Sequence, residues 1–159
     1  MAGAQAEWLD SLSPWPLNGF GIERMQRLLA ELGDPQDAYP AIHVVGTNGK
    51  STATIAIEQL LLADGLSVGS TISPHVAGWS ERIRIDGEEA GFEEAVEQVR
   101  SAAERLDATQ FEIVTAAALA AFARAGVDVA VVEAGLGGRL DATNVLRSRV
   151  VLLTSVALE

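Results

Sequence analysis

Four short runs, AIHVVG at 41–46, LSVGSTIS at 66–73, VDVAVVEAG at 127–135 and VVLLTSVAL at 150–158, are built of apolar and small residues without a regular polar alternation. Strands of this kind need cover on both sides, which helical crossovers packed onto a mostly parallel sheet provide. Helical patterns lie before and between them. In GIERMQRLLAELG, Ile22, Met25, Leu28, Leu29 and Leu32 recur at helical spacing and Gly33 stands at the stop. TATIAIEQLLLADG predicts a helix closed by Gly65, FEEAVEQVRSAAERL a surface helix, and QFEIVTAAALAAFARAG a more buried one. Within the loop SPHVAGWSERIRIDGEEAG, the RIRIDG part alternates like a half-exposed strand ending at a turn. The fold class expected is α/β: a mostly parallel sheet with helices on both faces, binding ligands beyond the carboxyl ends of its strands. A length of 159 residues, 48% of them hydrophobic, suits one globular domain, and there is no repeat, low-complexity segment or internal linker.

Charge and composition narrow the function classes. With 11 basic and 22 acidic residues the net charge is −11, so no broad basic face is available for a phosphate backbone and nucleic acid is not expected as a partner. Cysteine is absent, which excludes disulfides and thiolate metal sites and is compatible with a reducing cytoplasm. MAGAQAEWLDSL lacks a basic region followed by an apolar core, and no apolar run approaches the ~18 residues needed to span a bilayer. The expectation is a soluble cytoplasmic protein without membrane partners.

The junction HVVGTNGKST sets a buried strand against a glycine turn and a helix. Gly46 and Gly49 let the backbone turn so that the amides around Thr47 and Asn48 point inward at the positive end of the helix, forming an anion cradle. Lys50 can reach outer phosphates, and Ser51 or Thr52 can offer a hydroxyl to Mg²⁺, although only two residues separate the glycines. The plainer alternative is a helix start capped by Asn48 or Ser51. Glu133 ends a run expected to be buried, so it needs a cation: either Mg²⁺ shared with nucleotide phosphates, or a structural partner such as Arg139. Ser73, at the end of the second strand, faces the same crevice and is a further candidate metal ligand. GLGGRLDATN is either a substrate loop or a tight turn tied by Asp141. His43 reads as a packed strand residue. Thr109 and Glu112 form a capping box, T-x-x-E, without excluding ligand contact. Trp8, Trp15 and Trp79 fit core or pocket equally well.

Together IHVVGTNGKST, ISPHVAGWSERIRIDG, TQFEIVT and VVEAGLGGRLDATNV, in this order and spacing, resemble the N-terminal part of the dihydrofolate synthase/folylpolyglutamate synthase family of the Mur ligase superfamily. The resemblance implies an ATP- and Mg²⁺-dependent ligase that phosphorylates a carboxylate of dihydropteroate or folate and lets the amine of L-glutamate displace the acyl phosphate. Carried over, it makes Gly46 to Thr52 the nucleotide loop with Lys50 catalytic. Ser73 and Glu133, with Ser51 or Thr52, become the metal ligands. His75, Arg82, Thr109, Gln110, Phe111, Glu112 and Leu140 become acceptor-binding residues. Three positions depart from the family pattern: Ser51-Thr52 where G-[ST] is usual, Ile72 where Ser or Thr is common, and Gln110 where an aromatic is common. Glu159 stands at the acidic position after which the family continues to a metal-binding histidine. Residues 1–159 are therefore expected to be the N-terminal part of the ATP-binding domain, with the C-terminal glutamate-ligase domain outside the chain, the parent monomeric and this chain alone inactive. The competing readings are a fragment that binds nucleotide without catalysis, another Mur-type amide ligase, and a P-loop NTPase.

Overall fold

The computed structural model describes residues 3–17 and 19–157, so Glu159 lies outside the described residues. The apolar runs form β1 (Ala41–Val45), β2 (Val68–Thr71), β5 (Val129–Glu133) and β6 (Val150–Leu153), while RIRIDGEE folds into the short hairpin of β3 (Arg84–Ile85) and β4 (Glu88–Glu89). The sheet order is β4-β3-β2-β5-β1-β6. β2, β5, β1 and β6 are mutually parallel, and β3 and β4 are added antiparallel at one edge. The register sets Val44 of β1 beside Glu133 of β5, which brings the carboxylate to the strand end from which the glycine turn departs.

Five helices complete the fold: α1 (Ala4–Asp10), α2 (Glu23–Glu31), α3 (Lys50–Ala63), α4 (Phe92–Arg105) and α5 (Gln110–Ala125). One face of the sheet is covered by α3, whose Ala53, Ile57 and Leu61 pack on Val44, Val68 and Val131. The other face carries α5, with α1, α2 and α4 packed outside it. This explains why α5 is apolar nearly all round: its alanines let it lie between the sheet and a second helical layer. Among the described residues no helix is long and apolar enough to cross a membrane. β6 is the outer strand, and Val150, Val151, Leu152 and Leu153 are 36–61% exposed.

Two elements differ from the sequence reading. α3 begins at Lys50 instead of Thr52, because Gly49 takes the left-handed conformation at the N-cap. α1 was not legible, since seven residues give too little periodicity; it is fixed instead by Glu93 of α4, whose carboxylate accepts from the N–H groups of Gln5 at 2.9 Å and Ala6 at 3.3 Å. A buried ion cluster joins α3 to the sheet. Glu58, fully buried, accepts from Ser70 Oγ at 2.6 Å and from Arg84 Nε at 3.2 Å, so its charge is both paired and hydrogen-bonded.

At Gly69 of β2 the ring of Phe122 from α5 lies where a side chain would start: an added Cβ would sit 2.5 Å from the ring. Gly69→Ala is expected to destabilise the fold by about 1–3 kcal/mol through overpacking, measured by urea unfolding. Combining it with Phe122→Leu should recover part of the loss. A neutral Gly69→Ala would show that the sheet and α5 are not in the close contact described.

Candidate active site

The turn from β1 into α3 is conditioned by its glycines. Gly46 has φ of 133° and Gly49 of 82°, regions that an L side chain enters only at a cost. The N–H groups of Lys50, Ser51 and Thr52, in the first turn of α3, have no intrahelical partner, and no side chain caps them. The alternative of a helix start capped by Asn48 or Ser51 is therefore not what forms. The Ser51 hydroxyl is directed elsewhere, to Glu133, and the uncapped amides make an anion site at the positive end of α3. Lys50 folds its ammonium over the loop, donating to Gly46 O at 2.8 Å and Thr47 O at 3.4 Å. The Thr47 and Asn48 amides, expected in the cradle, are instead engaged by Ser155 beyond β6: Thr47 N–H donates to its carbonyl at 2.7 Å and Asn48 N–H to its hydroxyl at 3.2 Å.

Glu133 is 3% exposed. Its carboxylate accepts from Ser51 Oγ at 2.8 and 3.0 Å and from Ser73 N–H at 3.0 Å. Burial raises its pKa, opposed by the Ser73 and Ser51 hydrogen bonds and the nearby charges of Lys50 and Arg82. Arg139 is not its partner; that side chain is exposed, and Asn144 uses only its carbonyl. One buried carboxylate with the serines at 51 and 73 beside it is a hard-oxygen set that suits Mg²⁺, which takes few protein ligands and completes its shell with water and phosphate. Thr52 is exposed and makes no hydrogen bond to Glu133, so of the two adjacent hydroxyls the structure brings Ser51 to the carboxylate.

Beyond Ser73 a mostly apolar cavity of about 730 Å³ opens. Six of the seven acceptor-binding candidates line it: Arg82, Thr109, Gln110, Phe111, Glu112 and Leu140. The seventh, His75, stands behind Arg82, taking the Arg82 Nε–H on Nδ1 at 2.9 Å. Since arginine only donates, Nδ1 must be the bare nitrogen of a neutral ring, in keeping with a pKa lowered chiefly by burial and then by Arg82. Phe111 packs edge to backbone against Gly135, where a Cβ would lie 2.7 Å from its ring. The capping box forms: Thr109 Oγ1 accepts from Glu112 N–H at 3.4 Å while Glu112 accepts from Thr109 N–H at 2.8 Å. Glu112 also pairs with Arg24 Nε at 2.8 Å. Asp141 ties the GLGGRLDATN turn, accepting from the N–H groups of Gly135, Leu136 and Thr143. His43 is buried in the strand with Nε2 2.7 Å from Thr143 Oγ1, a packed residue as read.

Part of the wall was missed. Pro14, Pro16 and Phe20 line the cavity from the segment after α1 and Arg24 from α2, while Trp15 and Trp79, left open between core and pocket, both line it as well. Gln110 fastens that segment, its Nε2 donating to Leu9 O at 2.9 Å and Leu12 O at 3.0 Å. The available signal was PWP, large apolar residues in a stretch with no helical or strand pattern.

Comparison with known proteins gives the same architecture. No family model matches the chain. It is 45% identical over 146 residues to a folylpolyglutamate synthase of Lacticaseibacillus casei, covering 86% of this chain and 34% of that protein. It is 39% identical over 163 residues to the dihydrofolate synthase/folylpolyglutamate synthase of Escherichia coli, covering 99% of this chain and 39% of that protein. The E. coli FolC structure in complex with DHPP and ADP superposes with a TM-score of 0.90 at 37% identity, over 99% of this chain and 39% of that one. The chain belongs to the dihydrofolate synthase/folylpolyglutamate synthase family. It spans little more than a third of the length of these relatives. Its fold is that of the Mur-ligase-like synthases, with TM-score 0.88 and 37% identity over 96% of this chain and 35% of the Mycobacterium tuberculosis folylpolyglutamate synthase complexed with ADP and AMPPCP.

Because burial holds the Glu133 carboxyl above its ordinary 4.5, the metal-free fold binds that proton more tightly than the unfolded chain does. Its contribution to stability is full below that ordinary value and is lost as the pH rises through the raised one. Glu133→Gln keeps acceptor capacity for the hydrogen bonds and removes that loss. At neutral pH the metal-free variant is expected to melt at the same temperature as the parent sequence or higher, with a flatter pH dependence above 4.5. A lower melting temperature would show that the bare carboxylate is stabilising.

Proposed function

We propose that this chain is the N-terminal part of the ATP-binding domain of a ligase that joins L-glutamate to dihydropteroate or folate at the expense of ATP, through an acyl phosphate. The observation that carries this reading is a juxtaposition. The phosphate loop with Lys50 and the Ser51–Glu133 pair lies on one side of Ser73, and an apolar cavity of about 730 Å³ lies on the other. A nucleotide bound at α3 would therefore present its last phosphate toward the mouth of a cavity suited to a flat heterocyclic acid. The relatives support it: one solved structure is described as an FPGS-AMPPCP-folate complex, at 41% identity and TM-score 0.90 over 98% of this chain and 40% of that one. Another, at 38% identity and TM-score 0.87, holds Mn, AMPPNP and L-glutamate and is covered over 37% of its length.

In this reading Lys50 leaves the loop carbonyls to neutralise charge on the transferred phosphate, and the first amides of α3 hold the phosphates in line. Ser51, Glu133 and Ser73 would hold Mg²⁺, which supplies charge neutralisation at the phosphates when bound. Phe111 offers an aromatic face to the heterocycle, and Thr109, Glu112 and Asp141 offer polar contacts at the cavity floor. The acceptor carboxylate then lies toward Arg82 and Ser73, next to the phosphate loop.

The decisive experiment is ATP-dependent incorporation of glutamate into dihydropteroate and into a folate by the full-length protein that contains this stretch. Lys50→Ala is expected to reduce turnover about 10²- to 10³-fold with an unchanged circular dichroism spectrum. Near-normal turnover would overturn the phosphate-loop assignment. Phe111→Ala should raise the acceptor KM about tenfold, with a smaller effect on the KM for ATP. Equal effects on both, or loss of folded protein, would make Phe111 a packing residue.

A further inference from the structure

Arg82 stands where the two halves of the site meet. It lines the cavity, and its charge is close enough to Glu133 that each influences the other's ionisation. Its guanidinium makes one hydrogen bond among the described residues, from Nε to His75, which leaves the terminal nitrogens free to engage a ligand. A flexible side chain with free donors loses considerable rotamer entropy when a ligand first fixes it, unless something has already done so.

The fixing element is an aromatic shelf on the cavity wall, to which the proposed reaction assigns no role of its own. The Arg82 guanidinium carbon lies 4.6 Å from the Trp79 ring centroid, and the His75 ring lies 4.6 Å from the same centroid, tilted by 54°. Trp79 is itself held from two sides. Its Nε1–H donates to Asp10 at the end of α1 at 2.9 Å, and its ring stacks on Phe92 at the start of α4, 6.4 Å away and 20° from parallel. Glu81 then closes the loop between His75 and Trp79, accepting from the N–H groups of Val76 at 2.8 Å and Ala77 at 2.6 Å.

We propose that Trp79, acting with His75, is a positioning residue that holds Arg82 so that its terminal N–H groups face the acceptor carboxylate at the seam between cavity and phosphate loop. The ring supplies cation–π attraction to a partly desolvated guanidinium, and the imidazole takes Nε–H, so torsion about the end of the side chain is blocked before substrate arrives. The recognised group is a carboxylate, or the phosphorylated carboxylate formed from it, which suits a two-pronged donor. The inference rests on the ligase reading above.

A double-mutant cycle on the full-length protein tests it, using Trp79→Leu, Arg82→Ala and the pair, with kcat and both KM values measured beside thermal unfolding. Trp79→Leu is expected to lower kcat on the order of tenfold, since small misplacements of a positioned group cost that much or more, while the KM for ATP stays unchanged. Trp79→Phe, which keeps a π face, should recover most of the loss. In the Arg82→Ala background Trp79→Leu should add less than about twofold, because its target is gone. If the leucine variant does not fold, Trp79→Met, which fills the contact with Phe92 without a π face, takes its place in the cycle. Equal factors in both backgrounds, or failure of phenylalanine to recover activity lost by a folded leucine or methionine variant, would overturn the positioning role. A full-length protein that ligates glutamate to no pteroate-type acceptor overturns instead the reading on which it rests, an outcome distinct from additivity in an active enzyme.

Discussion

A carboxylate buried beside a helix start organises this molecule. Glu133 reaches its place because β5 pairs in parallel with β1, and once there it captures the Ser51 hydroxyl that would otherwise be free to cap α3. The helix start is thereby left with bare amides, and the same carboxylate takes the Ser73 N–H at the end of β2. Three parallel strands thus end on one buried charge. Its desolvation is compensated only in part by two serines and two nearby cations, so the site has a standing affinity for a further positive charge. Stability and the proposed metal binding pull in opposite directions at this residue.

The cavity depends on a different balance. Its floor is made by the start of α5, where the capping box fixes Thr109 and Glu112 by local hydrogen bonds, and by the turn after β5, where Asp141 gathers backbone amides. Gly135 lets Phe111 lie against the backbone of that turn. These features are satisfied within the chain before any ligand arrives, so the floor is preorganised. The wall residues Pro14, Trp15, Pro16 and Phe20 are carried mainly by Gln110 and by aromatic contact such as that of Trp15 with Phe20, 6.0 Å between centroids.

What was legible in the sequence follows from range. The β1, β2 and β5 runs and the helices between them are local patterns, and so are the glycine turn, the capping box and the acid that ends β5; each was readable because neighbouring residues define it. The choice between Ser51 and Thr52 was not, since it depends on which hydroxyl faces a strand 82 residues away along the chain. Neither was the pairing of Glu112 with Arg24, nor the place of Trp79 between α1 and α4, because both join segments brought together only by the layered packing. Gln110 shows the same limit: at a position where the family commonly has an aromatic, its amide serves two carbonyls of the first helix and the turn after it, a role no pattern of spacing announces.

The engagement of the β1–α3 turn by Ser155 has a consequence for how the proposed nucleotide site is supported. Thr47 and Asn48 are each held by Ser155, the second residue after β6, while Thr154 Oγ1 donates to Val45 O at 3.3 Å. A segment with no charge and no chemistry of its own is therefore the buttress of the loop. Strain or slippage in the outermost strand would travel two residues and arrive as a change in the shape of the turn, which makes the rim of the sheet, and not only its centre, a mechanical lever on the proposed nucleotide site.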